Sequence, residues 1–248
     1  MSSRASYWGQ VADRLGPGVP PSWRHYSDAV NARLVSQWLP GDTGRCLKTD
    51  LFDEAFTGGF LPPAAGRTFG VDVSRAIAGR ARERRPDLLP VATDVRQLPF
   101  RDRTFDTVIS TSTLDHFEDE SQIPRSLREL HRVLTPSGRL LVTLDNPHHP
   151  IVALRSRGAG LWQRLGLIPY EMGPSLSASG LRQALESVGF TVEHAGATQH
   201  VPRLLLTALG RQAHVALIHA AMRLEGLDRL PTRYLTGQFV CALAQRPG

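Results

Sequence analysis

The chain has 248 residues, 41% of them hydrophobic and 21% charged, a composition typical of one soluble α/β domain with insertions. The first residues, MSSRASYWGQ, lack the apolar core of a signal segment, and no uncharged apolar run approaches the roughly 20 residues of a membrane span, so we expect a cytoplasmic protein. The net charge of +6 is compatible with nucleic acid binding. However, the densest basic run, residues 79–86, falls on an expected surface helix without interleaved aromatic residues, which disfavours that partner.

Short apolar strands alternate with helices along the chain, a pattern that predicts a parallel sheet with helices on both faces. Strands are expected at residues 45–49, 68–74, 89–95, 105–113, 139–145, 190–195 and 237–245. Helices are expected at residues 27–39, 75–85, 126–134 and 177–189. Ser27 and Ser74 are suited to cap the first two of these helices.

Residues 1–248 are expected to form a single domain, and three segments of it fall outside the sheet and its helices. They are expected to form an N-terminal helical lid at 1–40 and two cap insertions at 147–176 and 200–236. The second insertion holds an apolar run that Arg211 and His214 interrupt, which predicts a cap or interface helix and not a membrane span.

Two acidic residues close neighbouring strands, Asp72 after the second and Asp94 after the third. Ligands of open α/β sheets bind outside the carboxyl ends of the strands. An acid after strand two can hold both hydroxyls of a ribose, and an acid after strand three can accept from an exocyclic amine such as that of adenine. Together they predict an adenosine pocket, although either aspartate alone is also common as a helix cap or turn former.

Three stretches in order carry a family resemblance: GVDVS, ATDVRQLPFRDRTFDTVISTSTLDHF and LRELHRVLTPSGRLLVTLDNP, within residues 66–146. In order and spacing they resemble a class I S-adenosylmethionine-dependent methyltransferase of the small-molecule, methyltransferase type 11-like kind. The resemblance implies a Rossmann-like, seven-stranded, mostly parallel sheet with helices on both faces and a reversed C-terminal strand. It also implies S-adenosylmethionine as the cofactor.

The resemblance assigns roles to individual residues. It implies that the cofactor is bound by Asp72 at the ribose, by Asp94 and the Val95 backbone at the adenine, and by Ser110 and Thr111 near the methionine portion, with Val73 as a further cofactor-binding residue. Leu114, Asp115 and His116 fall where the family often shapes the substrate side.

The turn after the first strand departs from the family pattern. The family has an acidic residue and then three alternating glycines there, whereas this chain has Lys48, Asp50, Phe52 and Glu54. Glycines let the backbone approach a ligand closely, so this glycine loop is degenerate. Asp50 instead resembles a helix N-cap, with Asp53 in the capping position, and the chain is expected to pass directly from the strand into a helix.

Charge favours one interpretation of this turn. Its acidic residues would repel the pyrophosphate of NAD or FAD, but not S-adenosylmethionine, which carries a sulfonium and an ammonium. Asp50 is therefore predicted to contact the cofactor ammonium. Lys48, the only lysine of the chain, is predicted either to pair with Asp50 or to hold a carboxylate; a salt bridge within the strand-end cluster is the equal alternative.

Candidate catalysts are few. His116 and His149 follow strands four and five and could accept a proton during methyl transfer, as could His148, although alignment of the reacting atoms alone is enough for many methyl transfers. Cys46 and Cys241 show no metal or redox spacing, and we expect no metal. The segments outside the core hold Trp8, Trp23, Trp162 and Tyr170, which could line a lid over an apolar or aromatic substrate.

The sequence thus predicts methyl transfer from S-adenosylmethionine to the oxygen, nitrogen or carbon of a small-molecule acceptor. The first alternative is a protein of the same fold without methyl transfer, such as a cyclase, a decarboxylase or an accessory protein, for which the degenerate loop is the main support. A nucleic-acid modifier has only the net charge in its favour. A homodimer is a further expectation that the sequence leaves open.

Overall fold

The computed structural model describes residues 3–15, 21–61, 67–157, 173–202, 205–206 and 214–248. Its centre is a seven-stranded sheet of order β3-β2-β1-β4-β5-β7-β6, in which β7 runs antiparallel to both neighbours. The strands are β1 Cys46–Thr49, β2 Thr68–Asp72, β3 Leu88–Ala92, β4 Phe105–Thr111, β5 Leu134–Asp145, β6 Thr191–Thr198 and β7 Phe239–Gln245. The predicted α/β fold with a reversed last strand is confirmed.

Helices connect and cover these strands. They are α1 Ser3–Leu15, α2 Pro21–Trp38, α3 Phe52–Phe56, α4 Arg75–Arg84, α5 Gln122–Val133, α6 Pro150–Arg157, α7 Ala178–Ser187, α8 His214–Leu224 and α9 Arg233–Thr236. Two 3₁₀ turns, Leu114–His116 and Glu225–Arg229, complete the described elements. Within the described residues no helix is long and apolar enough to cross a membrane.

The sheet is buried on both faces, as its unbroken apolar strands predict. In β4, Val108 packs into a cluster with Leu127 and Leu130 of α5, whereas the next residue, Ile109, packs with Leu34 of α2. Successive side chains of a strand point to opposite faces, so helices of both layers bury the same strand. Burial on both faces is what a parallel sheet requires.

The predicted helix starts are correct at α4 and wrong at α2. Ser74 caps α4 by accepting a hydrogen bond from the N–H of Ile77 at 3.4 Å. Helix α2 begins at Pro21, six residues before the predicted start, so Ser27 lies inside the helix. Proline is favoured in the first turn of a helix because its fixed φ suits the helix and its missing N–H would have no partner there.

The strand boundaries differ from prediction mainly at their ends. Strand β3 ends at Ala92, so Asp94 and Val95 lie in the loop that follows. Strand β6 continues to Thr198 because it pairs with β7 along its whole length, from Thr191 opposite Gln245 to Thr198 opposite Phe239. Pairing with β7 therefore extends β6 beyond residue 195, where the apolar pattern of the sequence ends.

The segments predicted to cover the core lie beside its carboxyl-terminal edge. Helix α8 packs on α2, where Trp23, Tyr26 and Val30 form an apolar cluster with Ala221 and Leu206. Helix α6 follows β5 directly. Residues 158–172 of the first insertion lie outside the described residues, and so do Trp162 and Tyr170.

Candidate functional site

A cavity of about 250 Å³ lies at the carboxyl ends of the parallel strands, next to the point between β1 and β4 where the strand order reverses. Helices α1 and α2 contribute Trp8, Val11 and Trp23 to its wall, so two of the tryptophans expected at a lid lie at the cavity. Open α/β sheets bind ligands at this position because neighbouring loops diverge there and leave a crevice.

Most of the residues predicted for the site meet in this cavity. Its lining includes Asp50, Asp72, Val73, Asp94, Val95, Thr111 and His116. Three predicted residues, Lys48, Ser110 and His149, are not part of the lining. The strand-end positions on which the predictions depended therefore converge, while the side chains of these three point elsewhere.

The turn between β1 and α3 is built around Asp50. Its φ of 63° is left-handed, a conformation that glycine adopts freely and aspartate tolerates. The Asp50 Oδ1 accepts the N–H of Phe52 at 2.8 Å, so the predicted cap contact forms, although Leu51 occupies the N-cap position. Asp53 does not complete a capping box, because its carboxylate binds the Arg24 guanidinium at 2.8 Å. The chain does pass from β1 into a helix, which has five residues.

Lys48 forms an ion pair beneath this turn. Its Nζ lies 2.9 Å from Oε2 of Glu54, and both side chains are 1% exposed. The same ammonium donates to the backbone carbonyl of Asp50 and lies 5.1 Å from the ring centre of Phe60. Burial alone would lower the pKa of Lys48, but the Glu54, Asp53 and Asp50 carboxylates raise it above its usual value, so the ammonium stays charged. Of the alternatives for Lys48, this is the salt bridge within the strand-end cluster.

Asp72 presents a buried carboxylate at the end of β2. Its Oδ1 accepts the N–H of Ser74 at 2.7 Å and its Oδ2 accepts that of Leu51 at 3.1 Å. Burial, and then the charge of Asp50, raises the pKa of Asp72 to about 7. Two backbone donors thus fix the carboxylate between the two strand-end turns, at the cavity wall.

The cavity lining carries more negative than positive charge. Among the described lining residues there are five carboxylates and three guanidinium groups. Each guanidinium binds one carboxylate, in the pairs Arg24–Asp53, Arg96–Asp94 and Arg155–Asp145. Within the described part of the chain, Asp50 and Asp72 form no side-chain ion pair with an arginine or lysine. The site therefore holds two adjacent carboxylates suited to a cationic ligand.

Asp94 is held by its neighbour. The Nε of Arg96 lies 2.9 and 3.0 Å from the two carboxylate oxygens of Asp94, whose Oδ1 also accepts the Arg96 N–H at 2.8 Å. Burial raises the pKa of Asp94, but these bonds from Arg96 outweigh it and hold the pKa below its usual range. Asp94 lines the cavity as a carboxylate already bound by a guanidinium, which the sequence did not indicate.

A second acidic cluster surrounds His116. Asp115, which is 3% exposed, accepts the Asp145 N–H at 2.9 Å and the Ser112 hydroxyl at 3.1 Å. Its other oxygen lies 3.9 Å from Nε2 of His116. The pKa of Asp145 is raised to about 6 by burial and then by the charge of Asp115, while Arg155 opposes the shift from 2.5 Å. The ring of Trp8 lies 4.9 Å from that of His116.

Ser110 and His149 serve the framework in this structure. Ser110 is fully buried and its Oγ accepts the hydroxyl of Thr49 at 2.9 Å, which ties the ends of β1 and β4 together. His149 is 6% exposed, and its Nδ1 accepts the N–H of Val152 in the first turn of α6 at 3.4 Å. Burial, followed by the charge of Arg155, lowers the pKa of His149.

The sequence missed lining residues of two kinds. Asp145 closes β5 just as Asp72 closes β2, so the strand-end rule that found Asp72 could have found it. Arg24, Asn31 and Arg155 lie on α2 and α6, and no local pattern indicates that these helices border the cavity.

Comparison with known proteins finds matches to methyltransferases over part of the chain. The family model described as Methyltransferase domain, Methyltransf_11, matches residues 55–142. A 2-phytyl-1,4-naphtoquinone methyltransferase of Nostoc sp. is 34% identical over 147 residues, which are 56% of this chain and 59% of that protein. A demethylmenaquinone methyltransferase of Streptomyces griseus is 31% identical over 131 residues, 52% of each protein. The chain therefore spans less than two thirds of the length of either of these two relatives.

Solved structures agree on the fold. A methyltransferase of Thermotoga maritima, described as a possible histamine N-methyltransferase, has a TM-score of 0.61 at 17% identity, covering 90% of this chain and 91% of that one. The N-methyltransferase NodS of Bradyrhizobium japonicum, solved with S-adenosylhomocysteine, has a TM-score of 0.56 at 17% identity, covering 95% and 91%. With the sheet order and the reversed β7, these structures show that the chain has the fold of class I S-adenosylmethionine-dependent methyltransferases, and residues 55–142 match the methyltransferase domain of that family.

Proposed function

We propose that the protein binds S-adenosylmethionine in this cavity and transfers its methyl group to a small apolar or aromatic acceptor. The observation that carries the proposal is the pair of carboxylates, Asp50 and Asp72, that face the cavity without an arginine or lysine side-chain partner among the described residues. A ligand with two positive groups and no phosphate suits this charge, whereas a dinucleotide would be repelled.

The residues present fit the cofactor at its ribose and its amino-acid end. The Asp72 oxygens each accept one backbone N–H and keep further lone pairs for ribose hydroxyls. Asp50 occupies the left-handed position of the turn after β1, and we assign it to the cofactor ammonium. Val73, Val95 and Thr111 also line the cavity, and we assign them to the cofactor as well.

Lys48 acts on the cofactor indirectly in this proposal. Its ammonium does not line the cavity, but it donates to the Asp50 carbonyl and is neutralised by Glu54. The lysine thereby fixes the backbone of the turn whose side chain meets the cofactor. This is a positioning role for Lys48 and replaces the direct contact that the sequence suggested.

The acceptor side combines aromatic walls with one candidate base. Trp8, Trp23, Phe117 and Phe239 line the cavity, and His116 lies between Trp8 and the Asp115 carboxylate. S-adenosylmethionine, when bound, supplies an electrophilic methyl group. His116 would take the proton that the attacking oxygen, nitrogen or carbon of the acceptor loses, and Asp115 would stabilise the resulting imidazolium. Ser110 and His149 are not assigned catalytic or binding roles here.

The names of two relatives support one acceptor class for this proposal. Those compared act, by name, on naphthoquinone and demethylmenaquinone substrates, which are aromatic ring systems with apolar chains. An aromatic-walled cavity suits such a ring. We therefore propose a reduced quinone or a related phenol as the acceptor.

The test is binding followed by transfer. Titration calorimetry should show that S-adenosylmethionine and S-adenosylhomocysteine both bind. Adenosine should bind more weakly than either, even at millimolar concentration, because it lacks the ammonium. Label from the methyl group should then appear in a reduced naphthoquinone, and less of it with His116→Gln. Binding of both cofactor forms without transfer to quinols, phenols or amines would favour the alternative of a methyltransferase fold without methyl transfer. Absence of binding would refute the proposal.

Cofactor binding should also depend on pH near neutrality. The pKa of Asp72 is about 7 in the folded chain and close to 3.8 when unfolded, so protonation favours the folded state and stability is lost as pH rises through 7. A cation bound beside the ionised carboxylate offsets this loss. The melting-temperature rise given by S-adenosylmethionine should therefore be larger at about pH 8 than at about pH 6, whereas Asp72→Asn should remove most of the difference. An equal rise at both pH values would contradict the assignment.

A further inference from the structure

Exposed aliphatic side chains concentrate in the two cap insertions, residues 147–176 and 200–236. Seven large hydrophobic side chains are exposed among the described residues, and only Leu89, on the edge strand β3, lies elsewhere. The other six are Ile151, Leu154, Leu205, Leu224, Leu230 and Leu235, with exposed fractions of 44–62%. Isolated exposed leucines are ordinary, but the concentration of six of the seven exposed side chains in these two insertions indicates a surface with a partner.

Both insertions leave the sheet at the same edge. Strands β5 and β6 are each antiparallel to β7, so they run in one direction, and the insertions follow their carboxyl ends. The cavity opens at the carboxyl ends of β1 to β5. Arg155 in the first insertion lines the cavity, as do Gln199 and Gln238, which flank the second. We give the name cap edge to residues 147–157, 200–202, 205–206 and 214–236, which are described parts of these insertions.

The charge of the cap edge has one sign. Its exposed ionised side chains are Arg157, Arg223 and Arg229, within the residues whose side chains are described. Of its two acids, Glu225 is buried against the hydroxyl of Tyr26, and Asp228 is partly buried. The surface thus combines aliphatic groups with cations and presents no fully exposed carboxylate among these residues.

We propose that the cap edge binds the surface of an anionic lipid bilayer. Aliphatic side chains enter the boundary between headgroups and acyl chains, and arginines contact the lipid phosphates, which is how a peripheral protein lies on a membrane without crossing it. A second copy of the chain fits this surface less well, because a two-fold contact would bring the arginines of both copies together.

Binding of the cap edge to a bilayer would place the cavity next to the membrane surface. If the cavity takes a quinol with an apolar chain, a consequence that rests on the proposed function, the acceptor passes from the bilayer to Trp8 and Phe239 without crossing water. The binding to lipid itself depends on the surface alone and is expected with or without cofactor.

Vesicle sedimentation tests the proposal with the full chain. The wild type should sediment with vesicles of phosphatidylcholine and phosphatidylglycerol, and much less with phosphatidylcholine alone. The double variant Leu154→Glu, Leu235→Glu should lose this binding, and Arg223→Glu should weaken it by at least about fivefold, because it removes one positive charge and adds a negative one. Matched controls are Leu89→Glu on the opposite edge strand and Arg82→Glu on α4, both exposed and outside the cap edge. Melting temperatures without ligand check that each variant folds.

Three results would overturn the proposal. The first is no sedimentation of the wild type with anionic vesicles at low salt. The second is a loss in Leu89→Glu as large as that in the cap-edge variant. The third is a dimer in sedimentation velocity that the cap-edge variant dissociates, without vesicle binding, which would assign the surface to a second copy of the chain. None of these depends on cofactor binding, so they are distinct from failure of the proposed function.

Discussion

Replacing Asp72 with asparagine is expected to weaken S-adenosylhomocysteine binding about tenfold to a hundredfold at about pH 8. The wild-type carboxylate is ionised there, and a hydrogen bond to a charged acceptor contributes roughly 1.5–3 kcal/mol. Asparagine keeps the size of the side chain and one of its two backbone contacts, those with Leu51 and Ser74, so the loss falls mainly on the ligand. Titration calorimetry measures it directly.

Asp42→Asn is the matched control. Asp42 has a side chain that is 70% exposed and paired with Arg67 at the surface, away from the cavity lining. We expect its affinity to equal that of the wild type. If Asp72→Asn binds S-adenosylhomocysteine as tightly as this control does, Asp72 is only a turn-forming residue and the ribose assignment is wrong.

Replacing Lys48 with methionine is expected to destabilise the protein by about 3–5 kcal/mol, because the Glu54 carboxylate is then buried without its partner. Global stabilities are commonly only about 5–15 kcal/mol, so urea unfolding of this variant should show a large decrease in midpoint. Removing both charges, in Lys48→Met with Glu54→Leu, should recover most of the stability, since an apolar pair of similar size often replaces a buried ion pair at little cost.

The double variant also separates folding from positioning. It lacks the ammonium that donates to the Asp50 carbonyl, so we expect weaker S-adenosylhomocysteine binding at near wild-type stability. Recovery of full affinity together with stability would mean that Lys48 serves the fold alone. A loss of stability below about 1 kcal/mol in Lys48→Met would show that the pair is not the desolvated contact seen here.

The sheet could be predicted because its strands are buried on both faces. Burial of Val108 and Ile109 on opposite sides requires continuous apolar runs, and those runs are visible in the sequence. The positions of the acids at strand ends could also be predicted, because locating a strand in the sequence also locates the residue that follows it. The N-terminal helices were less predictable. Helix α2 begins at Pro21 and not at Ser27, and the apolar residues of its first turns are explained only by their packing against α8.

The partners of the site residues could not be predicted. Lys48 and Glu54 are six residues apart on two different elements, and only the fold brings their charges to 2.9 Å. Arg96 lies two residues from Asp94, yet the sequence alone does not show that the Arg96 guanidinium binds the Asp94 carboxylate, which was expected to accept a hydrogen bond from adenine. Which charged side chains pair depends on their direction and burial in the folded chain, and a local sequence pattern does not predict either.

The turn after β1 depends on a glycine in the adjacent strand β2. Leu51 is fully buried, and a Cβ at Gly70, which lies opposite Lys48 on β2, would collide with the δ-methyl groups of Leu51. Leucine in the turn and glycine in the strand therefore form one complementary unit. Grafting a glycine-rich turn from a relative into this chain would leave a leucine-sized void beside Gly70, so a successful graft requires a larger residue at 70 in the same step.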